Sequence, residues 1–195
     1  MFSGGGRRSV LVVSSTKKGV EFISGLLDTG EYFPVSYAKN GSDARRMLIT
    51  NSYDLIIINA PLTDEFGEEL AIHIVENAVS GVLLIVKSEL FDEICYRVEE
   101  FGVFTVSKPL SKQYFYQALK LCTATVERLR VFEKEKVKLQ VKIDEIRIID
   151  RAKCTLIEYL KMSEAQAHRY IEKQAMDMRT TKKSIAESIL RTYES

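Results

Sequence analysis

The chain has 195 residues, of which 46% are hydrophobic and 28% are charged, and its formal net charge is +1. This composition is ordinary for a globular protein with a core, and the near-neutral charge gives no global attraction to nucleic acids or membranes. The cysteines Cys95, Cys122 and Cys154 lack metal-ligand spacing, so we expect reduced thiols, no metal and no cofactor. No apolar run is long enough for a signal peptide or a membrane span, and we expect a cytoplasmic protein.

Strand and helix patterns alternate from residue 9 to about residue 121. Short apolar runs predict strands at 9–14, 33–38, 53–59, 81–86 and 103–107. Amphipathic stretches predict helices at 16–28, 40–51, 68–78, 89–100 and from Ser111 onward. Five such units with short connections predict an α/β fold built on a doubly wound, five-stranded parallel sheet.

The third predicted strand ends in a polar residue. Its sequence, YDLIIIN, places Asn59 directly after a continuous β-branched run that is typical of a strand buried on both faces. Ligands of open α/β sheets bind at the carboxyl ends of such strands. An Asp there could accept a phosphoryl group or hold a metal ion, whereas a neutral amide does neither well.

The chain changes character after residue 121. No Gly follows Gly102 and no Pro follows Pro109, so nothing interrupts a helix. A helix over 111–150 would be about 60 Å long, longer than the preceding domain is wide, so its apolar seam needs a partner. We predict a coiled-coil homodimer with these seam residues: Val126, Leu129, Phe132, Leu139, Ile143 and Ile146.

The last residues predict a small three-helix domain. Its candidate helices are 152–161, which continues the coiled coil, 164–178 and 181–192. Ser163 with Gln166 is a plausible capping box for the second of them. We therefore predict three domains, with boundaries at 1–121, 122–149 and 150–195.

The first domain resembles the receiver domain of two-component response regulators, which has a flavodoxin-like sheet. Gly67, eight residues after Asn59, and the pair Lys108–Pro109 after the fifth strand match landmarks of that family. The resemblance implies an acidic pair, a phosphoacceptor Asp, and a Thr or Ser after the fourth strand. Those positions here are occupied by Ser14 and Ser15, by Asn59, and by Val86 or Lys87.

The missing carboxylates indicate a pseudo-receiver. Phosphoryl transfer to a carboxylate needs that group and a cation, and Mg²⁺ needs hard oxygen ligands. We therefore expect no control by aspartyl phosphorylation. Lys108 is expected to hydrogen-bond Asn59 or neighbouring carbonyls, and we interpret Asp64 and Glu65 as a solvated acidic loop and not as substitute metal ligands.

Residues 146–191 resemble the ANTAR domain of transcription antitermination regulators. The matching segments are Ala152–Lys153, Leu156, Ser163–Ala167, Ala175–Arg179 and Ile185–Leu190. A receiver-like domain, a coiled coil and ANTAR in this order are similar to the amidase-operon antiterminator and its relatives. The resemblance implies binding to hairpins in a leader RNA, which prevents a terminator hairpin from forming.

Residues 151–195 are locally basic, with nine Lys and Arg against six Asp and Glu, as expected for a surface that binds RNA. His168 and Tyr170 are possible stacking groups for splayed bases. The candidate RNA contacts are Lys153, Arg169, Lys173, Arg179, Lys182 and Lys183.

Three other functions compete with RNA binding. A DNA-binding response regulator lacks support, because no Gly-containing tight turn precedes a basic recognition helix. A coiled-coil dimerisation or adaptor protein would leave the ANTAR resemblance unexplained. An enzyme would need a nucleophile with its base, a phosphate loop or a metal cluster, and none is recognisable. The input stays open: a regulatory protein docking on the pseudo-receiver, a ligand, or protein level alone.

Overall fold

A computed structural model describes residues 6–193, so the outermost positions of the predicted domains, 1–5 and 194–195, lie outside the described residues. The chain divides into two compact units, Met1–Val131 and Phe132–Ser195. Within the described residues, no helix is long and apolar enough to cross a membrane.

The first unit contains a five-stranded sheet in the order β2-β1-β3-β4-β5, and every neighbouring pair is parallel. This confirms the predicted doubly wound α/β fold. The strands are β1 Arg8–Ser14, β2 Tyr32–Ala38, β3 Leu55–Asn59, β4 Gly81–Lys87 and β5 Phe104–Lys108.

Helices alternate with the strands as the amphipathic stretches predict. The predicted helix 89–100 is shorter than expected: its α-helical part is Phe91–Val98, with 3-10 turns at Ser88–Leu90 and Glu99–Phe101. The α-helices are α1 Lys17–Leu26, α2 Gly41–Thr50, α3 Glu68–Asn77, α4 Phe91–Val98, α5 Lys112–Leu160, α6 Glu164–Asp177 and α7 Lys182–Tyr193.

The sheet is covered on both faces, as its apolar strands require. Along β3, Ile56 and Ile58 join a core with α2, α3 and α4, whereas Leu55 and Ile57 join a core with α1 and the start of α5. All four side chains are fully buried. The alternation follows from the strand period of two, and it brings Asn59 to the exposed carboxyl end of the sheet.

The start of α5 belongs to the first unit for longer than we predicted. Cys122 and Val126 are buried, and a Cβ built on Gly81 would lie 2.5 Å from Cys122 Sγ and 3.1 Å from Val126 Cγ2. Val126 therefore packs within its own domain, and its assignment to the dimer seam is corrected. Periodicity identified an apolar position without showing what covers it.

The second unit has a small core of its own. The predicted helix 152–161 is the end of α5, and α6 begins with the expected capping box, in which Ser163 and Gln166 exchange side-chain and backbone hydrogen bonds. The buried side chains are Ala152, Leu156, Ala167, Ile171, Ala175, Ile185, Ala186 and Ile189.

Candidate functional site: the receiver-like edge and the C-terminal basic surface

Asn59 is hydrogen-bonded to a neutral neighbour at the carboxyl end of the sheet. Parallel pairing places Asn59 opposite Ser14 at the end of β1. The Asn59 amide nitrogen Nδ2 donates to Ser14 Oγ at 3.0 Å, and Ser14 Oγ donates to the carbonyl of Thr16 at 3.4 Å. Ser14 is only 3% exposed. Asn59 and Ser14, which lie at the positions of receiver carboxylates, are thus hydrogen-bonded to each other.

Helix α1 closes over this pair at Gly19. A Cβ at Gly19 would lie 2.5 Å from Ser14 Oγ, 2.6 Å from Asn59 Nδ2 and 2.9 Å from Thr16 Oγ1. Thr16 caps α1 through its hydroxyl, which accepts from the Gly19 amide at 3.1 Å. The close approach of Gly19 leaves no room for a side chain beside the Asn59–Ser14 pair.

Lys108 and Ser15 bind the loop that follows β3. Lys108 Nζ donates to the carbonyl of Ala60 at 2.6 Å, one of the carbonyls next to Asn59, and Ser15 Oγ donates to the carbonyl of Pro61 at 3.2 Å. Burial lowers the pKa of Lys108, and the charge of Lys87 lowers it further. Lys87 itself is exposed at the end of β4, in register with Lys108.

The acidic side chains of the loop after Asn59 are held by α2, although Asp64 remains exposed to solvent as we expected. The Asp64 carboxylate accepts from the backbone amides of Gly41 and Ser42, both at 2.9 Å, and these bonds lower the pKa of Asp64 to about 2. Glu65 forms an ion pair with Arg45. Asp64 is stabilised at the N-terminus of α2 by free amides and the helix dipole, and Glu65 binds the Arg45 side chain of the same helix. Their partners lie outside the loop's own sequence, which is why the pattern did not show them.

The structure explains why a glycine lies at position 67, eight residues after Asn59. Its φ is +115°, and a Cβ there would approach Ile58 Cγ2 to 3.0 Å. Glycine is the residue suited to left-handed backbone, and Gly67 is the N-cap residue that precedes α3.

The receiver-like edge does not fit the divalent cation that the fold family uses. Ser14, Ser15 and Asn59 are uncharged, and the amide nitrogen of Asn59 faces Ser14. Mg²⁺ binding uses one or two carboxylates with waters and phosphate oxygens, and Asp64 and Glu65 are bound to α2. Among residues 6–193, no group of three His, Cys, Asp or Glu side chains could hold a metal ion.

Two of the predicted RNA-binding lysines are already paired. Lys153 lies 2.8 Å from Asp150 and 3.3 Å from Glu164, and its side chain is 16% exposed. Asp150 contributes most to the raised pKa of Lys153. Lys182 forms an ion pair with Glu172. Lys153 is thus a link between α5 and α6, and the sequence alone could not show that its carboxylate partner lies eleven residues further on.

The other candidate RNA contacts, Arg169, Lys173, Arg179 and Lys183, have no acidic partner among the described residues, and neither does Lys161. All four candidates were predicted as contacts, whereas Lys161 was not. Lys161 and Arg179 both have left-handed backbone, with φ of 53° and 52°, at the turns after α5 and α6. The signal that could have identified Lys161 is a basic residue at a helix end where glycine is usual.

Solved structures define the class of the first unit. The signal receiver domain of an HD domain-containing protein from Pseudomonas fluorescens Pf-5 matches with a TM-score of 0.58 and 22% identity, covering 66% of this chain and 96% of that one. The chemotaxis response regulator CheY4 of Vibrio cholerae matches with a TM-score of 0.53 and 16% identity, covering 60% and 99%. The first unit therefore has the receiver fold.

The second unit matches the family model of the ANTAR domain over residues 137–190. The transcriptional regulatory protein PdtaR of Mycobacterium tuberculosis, in strains H37Rv and CDC 1551 / Oshkosh, is 25% identical over 162 residues, which are 83% of this chain and 78% of that protein. The chain therefore combines a receiver-like domain with a segment that matches the ANTAR domain.

Proposed function

We propose that the protein binds hairpins in a leader transcript through its ANTAR domain and thereby prevents a terminator hairpin from forming. The observation that carries this proposal is the ANTAR match over residues 137–190. The basic surface of the same unit supports it, because phosphate neutralisation by Lys and Arg supplies much of the affinity for nucleic acids. Arg169, Lys173, Arg179 and Lys183 are the predicted contacts that lack an acidic partner among the described residues. In this proposal the protein regulates by binding and catalyses no reaction.

The receiver-like domain acts without aspartyl phosphorylation in this proposal. A phosphoryl group needs an acceptor carboxylate and a cation that neutralises the developing charge. Asn59 offers an amide, and that amide is bonded to the buried Ser14. Lys108, which would otherwise contact a phosphoryl group, binds the Ala60 carbonyl. Control by a protein that docks on this domain is compatible with the proposal.

The active form in this proposal is a homodimer formed along α5. The five remaining seam residues are between 44% and 60% exposed in the single chain, and apolar positions at this spacing typically pack against a second helix. The seam comprises Leu129, Phe132, Leu139, Ile143 and Ile146.

A gel-shift comparison tests the proposal against its alternatives. The full-length protein is titrated into a leader RNA that forms paired hairpins, and separately into duplex DNA of the same sequence. We expect retention of the RNA at lower protein concentration than the DNA. Tighter binding to the DNA would support a DNA-binding response regulator, and binding to neither would support an adaptor protein.

A further inference from the structure

A hollow of about 450 Å³ lies beside the turn between α5 and α6. Its lining combines cationic, aromatic and apolar side chains, all from the second unit. The residues that matter are Lys161, Met162, Gln166, Arg169, Tyr170 and Lys173. A volume of this size is in the range that holds a small ligand or one unit of a polymer.

The hollow has an uncompensated positive charge. Lys161, Arg169 and Lys173 have no acidic partner among the described residues, in contrast to Lys153 and Lys182, which are both paired. Arg169 and Lys173 are four residues apart on α6, so they lie on one face, where like charges repel each other. An anion in the hollow would relieve this repulsion.

Lys161 lies at the mouth of the turn after α5, at a position where glycine is usual. Lys161 has a φ of 53°, in the left-handed region that a side chain disfavours and glycine adopts freely. The chain places a lysine there in spite of that strain. A contact between the Lys161 ammonium group and a ligand in the hollow would offset this strain.

Tyr170 supplies the stacking surface. Its side chain is 38% exposed at the wall of the hollow, with Arg169 next to it and Lys173 close along α6. Unpaired bases stack on aromatic rings while their phosphates contact Lys and Arg. We propose that the hollow binds one unpaired nucleotide of an RNA loop, with the base on Tyr170 and the phosphates on Lys161, Arg169 and Lys173. This site rests on the proposed RNA-binding function.

The test uses the full-length protein and two RNA probes, a synthetic hairpin with an unpaired adenosine loop and a fully paired RNA duplex. Tyr170→Ala should weaken binding to the looped hairpin about tenfold or more, because each base–aromatic stack contributes strongly to affinity. Tyr170→Phe should bind as the wild type does. Neither change should alter binding to the paired duplex, which offers no free base.

Lys161→Gly gives a readout in which stability and affinity move in opposite directions. We expect a higher melting temperature, because the left-handed strain is relieved, together with weaker hairpin binding and a shallower dependence on salt. Lys112→Ala, which removes one exposed charge from the start of α5, is the control and should leave affinity unchanged.

The outcomes separate this site from the function on which it rests. If the wild type binds no RNA, both are overturned. If the wild type binds the looped hairpin and Tyr170→Ala binds it equally well, the nucleotide site is wrong and the RNA-binding function stands. Equal losses of hairpin and duplex binding in Tyr170→Ala would also overturn the site, since they would indicate an effect that does not involve an unpaired base.

Discussion

Two glycines of helix α1 test whether the Asn59–Ser14 pair is sealed. Gly19 and Gly25 both lie in Lys17–Leu26, but a Cβ at Gly19 would meet Ser14 Oγ at 2.5 Å and Asn59 Nδ2 at 2.6 Å, whereas a Cβ at Gly25 meets nothing within 4 Å. Gly→Ala in an exposed helix stabilises by about 1 kcal/mol, and overpacking a well-packed site costs about 1–3 kcal/mol. Gly25→Ala should therefore stabilise the protein by about 1 kcal/mol, whereas Gly19→Ala should destabilise it by up to about 2 kcal/mol.

Hydrogen exchange of the β1 and β3 amides measures these changes in the receiver-like unit itself, because exchange from core strands reports the free energy of opening. A further variant, Asn59→Ala, removes one of the atoms that the new methyl group would meet. In combination with Asn59→Ala, the cost of Gly19→Ala should fall, which is a non-additive effect between residues in contact. If Gly19→Ala protects the strands as much as Gly25→Ala does, the packing of α1 over Asn59 is not as tight as we describe.

Three further predictions concern phosphorylation, assembly and RNA. Asn59→Asp should not be labelled by acetyl phosphate, because the acidic pair that holds the cation is also absent; rapid Mg²⁺-dependent labelling, read by intact-mass spectrometry, would reveal a metal site. Replacing Leu139 and Ile143 with Glu should yield a monomer in sedimentation, because the change places like charges in an interface whose apolar burial contributes about 25 cal/mol per Å²; an unchanged dimer mass would place the contact elsewhere. Arg179→Gly, at a φ of 52°, should raise stability by about 1 kcal/mol and make the slope of log affinity against log salt shallower by up to about one unit; an unchanged slope would remove Arg179 from the RNA surface.

The fold could be predicted because its signals are local. The continuous run Leu55 to Ile58 reads as a buried strand, and parallel pairing then brings Asn59 beside Ser14 without further information. The uninterrupted helix after residue 111 followed in the same way from the absence of Gly and Pro. In each case the residue types within a few positions determine the backbone.

The pairing of individual side chains could not be predicted, because the partners are distant in sequence. The spacing of Val126 fits the coiled-coil seam. In the structure, however, its side chain packs against Gly81 within the first unit, where the missing glycine side chain leaves room for it. Asp64 is a solvated loop residue as predicted, but its hydrogen bonds to the amides of α2 were not predicted. Lys153 is predicted as a phosphate contact, and its ion pair with Glu164 could not be foreseen from the sequence. In each case the sequence indicates the type of residue, and only the structure shows which group lies opposite it.

The central claim is that this protein binds RNA without a phosphorylation signal. The most direct test is the affinity of the purified wild-type protein for a leader hairpin RNA, measured with and without acetyl phosphate and Mg²⁺, with intact mass recorded in parallel. We expect binding in both conditions with the same dissociation constant and no added phosphoryl group on Asn59 or elsewhere. Failure to bind RNA, or binding that appears only after phosphorylation, would contradict the account.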